Sequence, residues 1–366
     1  MRADGPVPAN LPRSASGPRR WLTARGMCYL LLLGTLAACA STPPSPASGP
    51  PPVPIVWPSP PDPPRVRYMG TLVGEPDVKG PARRSLWSRI WRGLLGESPP
   101  QVFAKPVDVE VGAEGKIYVV DTALACVHVL DKTRGRYRRL RDLPGRRSLE
   151  SPAGVAVGPD GRLFVSDSAL GLIAVYSPEG KAIALWGEGS LKRPSDPALG
   201  PDGSLYVADA AVHQIVQFAP DGTERRRIGR RGTGPGEFNY PTHLAVDPKG
   251  GLWVVDTLNS RVQHLDREGR FVSAFGKAGD GTGDFGRPKG IVIGPGNVLW
   301  VVDALFDVIQ LFQPDGTLLL VVGGPGRSPG QFWLPAGIAV DREGQVYVAD
   351  SYNARVQVFD AKGAVP

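Results

Sequence analysis

The stretch "VYVADSYNARVQVFD", residues 346–360, returns five times earlier in the chain: "IYVVDTALACVHVLD", "LFVSDSALGLIAVYS", "LYVADAAVHQIVQFA", "LWVVDTLNSRVQHLD" and "LWVVDALFDVIQLFQ" begin at residues 117, 163, 205, 252 and 299. The Asp closing the first half of each is Asp121, Asp167, Asp209, Asp256, Asp303 or Asp350, at spacings of 46, 42, 47, 47 and 47 residues. Fifteen residues before each Asp stands a proline: Pro106, Pro152, Pro194, Pro241, Pro288 and Pro335. Three before it stands an aromatic: Tyr118, Phe164, Tyr206, Trp253, Trp300 and Tyr347. Agreement at several positions over six units marks a repeat array. Each unit is built of short runs rich in Val, Ile, Tyr and Trp, broken by "PDG", "PEG" or "REG" turns, with no helical spacing of apolar residues, so the units are β. Four strands and their turns use about this length. One such sheet cannot bury both faces, whereas six arranged radially can, which makes a six-bladed propeller with the aromatics filling the wedges between blades.

The pattern is best kept from Pro335 to Gly363, as P-x-G-I-A-V-D…G-x-V-Y-V-A-D-x-x-N-x-R-V-Q-V-F-D…G, and there it resembles the NHL repeat. The resemblance covers residues 65–366 and implies an all-β, six-bladed NHL-type propeller. Complete units run on to a fourth strand, as in "RFVSAFG" ending at Gly276 and "TLLLVVG" ending at Gly323, but the sixth unit stops without one. "VRYMGTLVG", residues 66–74, ends in the same Gly and is expected to close the last blade, removing an exposed edge.

Ahead of the repeats, Arg13, Arg19, Arg20 and Arg25 precede the uncharged run from Met27 to Cys39, which is too short to span a bilayer and has the length of a signal-peptide core. Leu36-Ala37-Ala38-Cys39 resembles a bacterial lipobox. That resemblance implies a signal peptide over 1–38, lipidation at Cys39 and, with Ala40 next, an outer-membrane anchor facing the periplasm. Residues 40–64 are dominated by proline and small residues, with too few apolar side chains to offset ordering entropy. Residues 39–64 are therefore expected to be a lipidated Cys and its tether, reaching roughly 75 Å at about 3.1 Å per residue.

The repeated Asp is the obvious carboxylate, but its presence in every unit points to a structural role, accepting hydrogen bonds from the turn that follows. The Gly-rich "GRRGTGPG" and "GKAGDGTG" recur at one place in successive units and lead into a strand, so they are links between blades. Thirteen residues before each Asp, three units carry Gly154, Gly290 and Gly337 while the others carry Asp108, Asp196 and His243. Two carboxylates and an imidazole around a channel are candidate metal ligands, and some related propellers are metal-dependent lyases or lactonases. Amidating lyases of similar fold carry histidines directly after the repeat proline, where this chain has Val107, Ala153, Ser195, Thr242, Lys289 and Ala336. His128, His213 and His264 show no ligand spacing and read as strand or surface residues.

Cys126 is the one cysteine of the repeat region, which excludes an internal disulfide, a C-x-x-C-H haem site or a RING zinc module. The formal net charge is +7, with basic clusters from Thr133 to Arg147 and Thr223 to Arg231 on expected outermost strands, where charge deters edge pairing. The turns after the repeated Asp are polar in units four and six, "TLNSR" and "SYNAR". The other units place Leu124, Leu170, Leu172, Val212, Leu305, Phe306 and Val308 there, a candidate interaction face. Between residues 83 and 97, "RRSLWSRIWRGLLGE" has the helical pattern: Leu86, Trp87, Ile90, Trp91, Leu94 and Leu95 share one face, flanked by arginines. This inserted amphipathic helix is expected to lay Trp87 and Trp91 on the face bearing Leu124 and Phe306. The expectation is a monomeric, lipid-anchored binding or scaffolding propeller with protein partners in the envelope, no cofactor, no nucleic acid and no catalysis. A metal-dependent lyase or lactonase at the channel mouth is the alternative.

Overall fold

The computed structural model describes residues 54–79, 102–361 and 363. Cys39, the signal segment and the helix expected over 83–97 with Trp87 and Trp91 lie outside the described residues. Six sheets, each antiparallel and each corresponding to one sequence unit, make six blades. Their first strands, Pro106–Val111, Pro152–Val157, Pro194–Leu199, Pro241–Val246, Pro288–Ile293 and Pro335–Val340, run in sequence around the centre and the last meets the first, closing a ring. The second strand of each blade, such as Leu252–Asp256 or Leu299–Asp303, is buried along its length, Gln345 at the start of the last one apart, because a neighbouring blade covers either face. That is why these strands read as continuous apolar runs without alternation.

Outermost strands meet water: Glu224–Ile228 has one buried residue, and the basic clusters of blades one and three lie on such strands. The wedge aromatics are all buried, and each joins the next blade's core. Tyr347 packs with Val109 and Val119 of blade one, and Trp300 packs with Val346 and Val348 of blade six. The Gly-rich links carry a further anchor, Phe238, Phe285 or Phe332, fully buried beneath the link. Gly229 shows why glycine is needed there: its φ is +84°, and a Cβ would come 2.3 Å from Phe238 Cε2.

The ring closes as the sequence predicts. The strand Val66–Leu72 pairs with Arg355–Asp360, with Tyr68 opposite Phe359 and Leu72 opposite Val356. Residues 56–57, which fall within the stretch expected as tether over 39–64, are nevertheless paired into the last blade. Val56–Trp57 adds a fifth strand to the last blade, with Trp57 opposite Val66 and its ring edge-on to Phe359 at 5.8 Å. The half-buried indole, packed on Phe359, orders this proline-rich stretch.

Candidate functional site

The repeated Asp residues are all fully buried at the ends of the second strands, at one end of the ring. In blade two Asp167 accepts the backbone N–H groups of Glu150 (2.7 Å) and Ser151 (3.1 Å) from the preceding link, and of Ala169 and Leu170 from its own turn. The Asp thus fastens the turn to the strand entrance, the structural role its repetition implies. In blades four and six it does more. Asp256 accepts from Asn239 N (2.6 Å), Asn259 Nδ2 (2.8 Å), Arg261 Nε (2.8 Å) and Gln263 Nε2 (3.1 Å), and Asp350 gathers Asn353, Arg355 and Gln357 in the same way. Blade one has His128 at the corresponding position, fully buried, with Nε2 3.4 Å from Asp121 and Nδ1 2.5 Å from the Tyr137 hydroxyl.

These bonds reverse the expected polarity of the turns. Asn259, Arg261, Asn353 and Arg355 point inward to their Asp, leaving Leu258 (58 %) and Tyr352 (51 %) exposed on the turns that read as polar. Leu172, expected on the candidate face, is instead the first residue of the strand Leu172–Tyr176 and is fully buried. Leu124, Leu170, Val212 and Phe306 are half-buried, while Leu305 is 59 % exposed. The exposed apolar surface lies on blades four to six: Leu258, Leu305, Tyr352 and Trp333, whose ring lies 5.6 Å from that of Tyr352.

Inside the ring, Asp108 and Asp196 are buried rather than solvated at the mouth. Asp108 Oδ2 accepts the N–H of Val155 in the next blade at 2.8 Å, and Asp196 Oδ2 accepts that of Leu244 at 2.8 Å. Each carboxylate therefore ties two blades together. Gly337 makes room for the first of them, since a Cβ there would meet Asp108 Oδ1 at 2.1 Å. Asp108, Asp196 and His243 do line one segment of the channel, of about 260 Å³, together with Glu110, which the sequence reading missed. Among the described residues no three His, Cys, Asp or Glu side chains are grouped so as to hold a metal ion.

Burial pushes the Asp108 carboxyl up to about 7, while burial and the charge of Asp108 push Glu110 up to about 8. Asp196 rises well above the usual carboxylate range through burial and the charge of Asp108. A carboxyl raised in the folded state contributes stability fully present below its unfolded value, near 4, and lost as pH rises through its folded value. Stability is thus expected to fall between pH ~4 and ~8. Asp108→Asn keeps an oxygen for Val155 N–H and removes the charge. Relative to the parent chain it is expected to gain on the order of 2 kcal/mol on going from pH 5 to pH 8, in urea melts. An equal difference at both pH values would refute this.

The mouth beside the repeated Asp residues opens on a cavity of about 430 Å³ that touches all six blades. Ser151, Arg193, Tyr240 and Arg287, each the residue before a repeat proline, line it, and Lys105 of blade one and Leu334 of blade six hold the same place in their units. Three of these are cationic, on alternate blades one, three and five, and blade five adds Lys289 after its proline. Lys105 Nζ lies over the Tyr352 ring at 5.2 Å and Arg193 over that of Tyr240 at 5.8 Å. No Asp or Glu lines this cavity. Burial, reinforced by Arg287 and Lys105, pulls the Lys289 ammonium down to about 8. His243, 8 % exposed, lines both this cavity and the segment below it, and its buried Nδ1 has no hydrogen-bond partner. The other mouth, a cavity of about 700 Å³, is lined by hairpin turns carrying Glu114, Asp247, Asp341 and Glu343. The cationic rim was legible as a departure at the pre-proline position, which the sequence reading passed over in favour of the two positions beyond it.

A family model for the NHL repeat matches residues 332–359, and one described as a 6-bladed beta-propeller matches residues 200–262. No curated protein matches the chain in sequence. Solved structures share the fold. Virginiamycin B lyase from Staphylococcus aureus aligns with a TM-score of 0.53 at 16 % identity, over 70 % of this chain and 95 % of that one. A gluconolactonase from Xanthomonas campestris gives 0.54 at 17 %, over 71 % and 88 %. An auxiliary nutrient binding protein from Bacteroides thetaiotaomicron gives 0.57 at 14 %, over 70 % and 69 %. At such identities the likeness is one of fold.

Proposed function

We propose that this chain, a six-bladed propeller carrying an NHL repeat, is a non-catalytic binding module held in the bacterial envelope by a lipid on Cys39. Its partner is a protein docking on the face that bears the cationic mouth. The observation carrying the reading is the exposed apolar group on that face: Leu258, Leu305, Trp333 and Tyr352 stand in water where four strand-connecting turns or links would be expected to present polar side chains. Aromatic side chains beside cations are the composition of interface centres rather than of ordinary surface. Lys105 over Tyr352 and Arg327 over the Trp333 ring at 4.7 Å hold both aromatics in place without covering them. Among fold relatives, lyases, lactonases and binding proteins occur together, so the fold itself favours none of them.

Cross-linking in intact cells followed by mass spectrometry tests the proposal. The parent chain is expected in the membrane fraction with one dominant cross-linked protein. Trp333→Ser with Tyr352→Ser is expected to lose that partner while keeping its fractionation and melting temperature, and Cys39→Ser to leave the membrane fraction. A partner retained by the double variant, or an unacylated parent chain, would overturn the corresponding half of the reading.

A further inference from the structure

We infer that the cationic mouth is a binding site for a small polyanion, a molecule carrying two or three carboxylate or phosphate groups. The inference stands on the mouth alone and does not depend on a protein partner. Arg193, Arg287 and Lys289 line the cavity, and Lys105 is near enough for its charge to act on Lys289; none has a carboxylate partner among the described residues, and no acid lines the cavity. Arg261, Arg227 and Arg270 elsewhere on this propeller pair with Asp256, Glu224 and Asp266, and Arg226 and Arg327, which have no carboxylate, stand on an outermost strand and a link rather than around a concavity. Gathering Arg193, Arg287 and Lys289 around one concavity with no carboxylate, Lys289 being partly withdrawn from water, costs free energy that a bound anion recovers.

Geometry sets the class of ligand. A cavity of about 430 Å³ suits a small molecule rather than a folded partner. Three cations reach the cavity from two separate blades, three and five, which favours several negative groups on one molecule over a single carboxylate. Arg193 and Arg287 offer planar forks that match carboxylate or phosphate oxygens, and Lys289 offers a point charge. The neutral His243 imidazole, its Nδ1 unpartnered, adds a hydrogen-bonding atom at the floor. Below it, Asp108, Glu110 and Asp196 line the channel, and the opposite mouth carries further acids, so an anion is held at the cationic end and not passed through. The same charges oppose a divalent cation at this mouth.

Isothermal titration of the full chain in detergent, with citrate and with inorganic pyrophosphate as probes and acetate as the monoanion, tests the inference. Saturable one-to-one binding of citrate or pyrophosphate, with acetate at least about tenfold weaker, is expected; whichever probe binds tighter identifies carboxylate or phosphate as the preferred group. Lys289→Met and Arg287→Gln are each expected to weaken binding about tenfold, whereas Arg225→Gln on an outermost strand leaves it unchanged. Binding near pH 8 is expected to take up protons as the anion restores charge to Lys289. Absence of saturable binding by both probes overturns the inference. So does binding that Lys289→Met and Arg287→Gln leave intact, or that Arg225→Gln weakens as much, since attraction to net charge would then suffice.

Discussion

A chain shortened to begin at Gly80 is expected to lose most of its folding stability, because it lacks the two strands that complete the last blade. Val66 and Leu72 are buried in that blade, and Trp57 and Tyr68 pack against Phe359 and the core around it. A fully buried large apolar side chain contributes about 1.5–3 kcal/mol, so Val66 and Leu72, with a smaller share from the half-buried Trp57 and Tyr68, reach the lower part of the about 5–15 kcal/mol that holds an ordinary domain together. The strand Arg355–Asp360 is left with unpaired backbone groups along one side and becomes an open edge. Thermal unfolding followed by circular dichroism is expected to show a transition at least about 15 °C lower, or none, with aggregation at low concentration. A shortened chain that melts like its parent would mean that the blade closes some other way.

Asp256→Ala is expected to be the most damaging single substitution in a blade. Its carboxylate is fully buried and accepts four hydrogen bonds, one of them from Arg261, itself largely withdrawn from water. Removing one partner of a buried ion pair leaves the other charge uncompensated, at a cost of about 3–5 kcal/mol. Asp209→Ala provides the contrast, because that carboxylate is bonded to the backbone N–H groups of Lys192 and Arg193. Its loss is expected to cost about 1–3 kcal/mol, the penalty for unsatisfied buried donors. Urea midpoints at constant slope decide between the two, and equal losses would show that the Arg261 network adds nothing.

The fold was legible because each constraint was stated six times. A single buried run such as Leu299–Asp303 cannot be told from part of a helix, but six with prolines and glycines in register leave one architecture. Ring closure was legible for a similar reason, since residues 66–74 carry the ending of a fourth strand at the wrong end of the chain. What escaped the sequence was set by single contacts. Composition made residues 54–64 a tether, yet Trp57 finds Phe359 and the strand forms. Composition also made "TLNSR" and "SYNAR" polar turns, although their polar members turn inward to a buried Asp and present Leu258 and Tyr352 to water. Leu172 was misjudged by one position, falling on the strand side of a turn boundary. The channel residues Asp108, Asp196 and His243 were found as departures from the repeat, but that two of them clasp neighbouring backbones depended on which blade presents a free N–H, which sequence does not state.

The pairing of Val66–Leu72 with Arg355–Asp360 also orders events in time. A ribosome makes the Val66–Leu72 strand of the last blade before any blade exists and supplies its neighbour only after the other five blades. For that whole interval the early strand must wait, because local contacts form quickly while a pairing across nearly the entire chain is delayed by loop closure. Five blades can stack as they emerge, but the ring is an open arc until the final residues arrive. An early stop codon therefore yields a body with two raw edges rather than a slightly smaller propeller, a product suited to proteolysis and not to partial function.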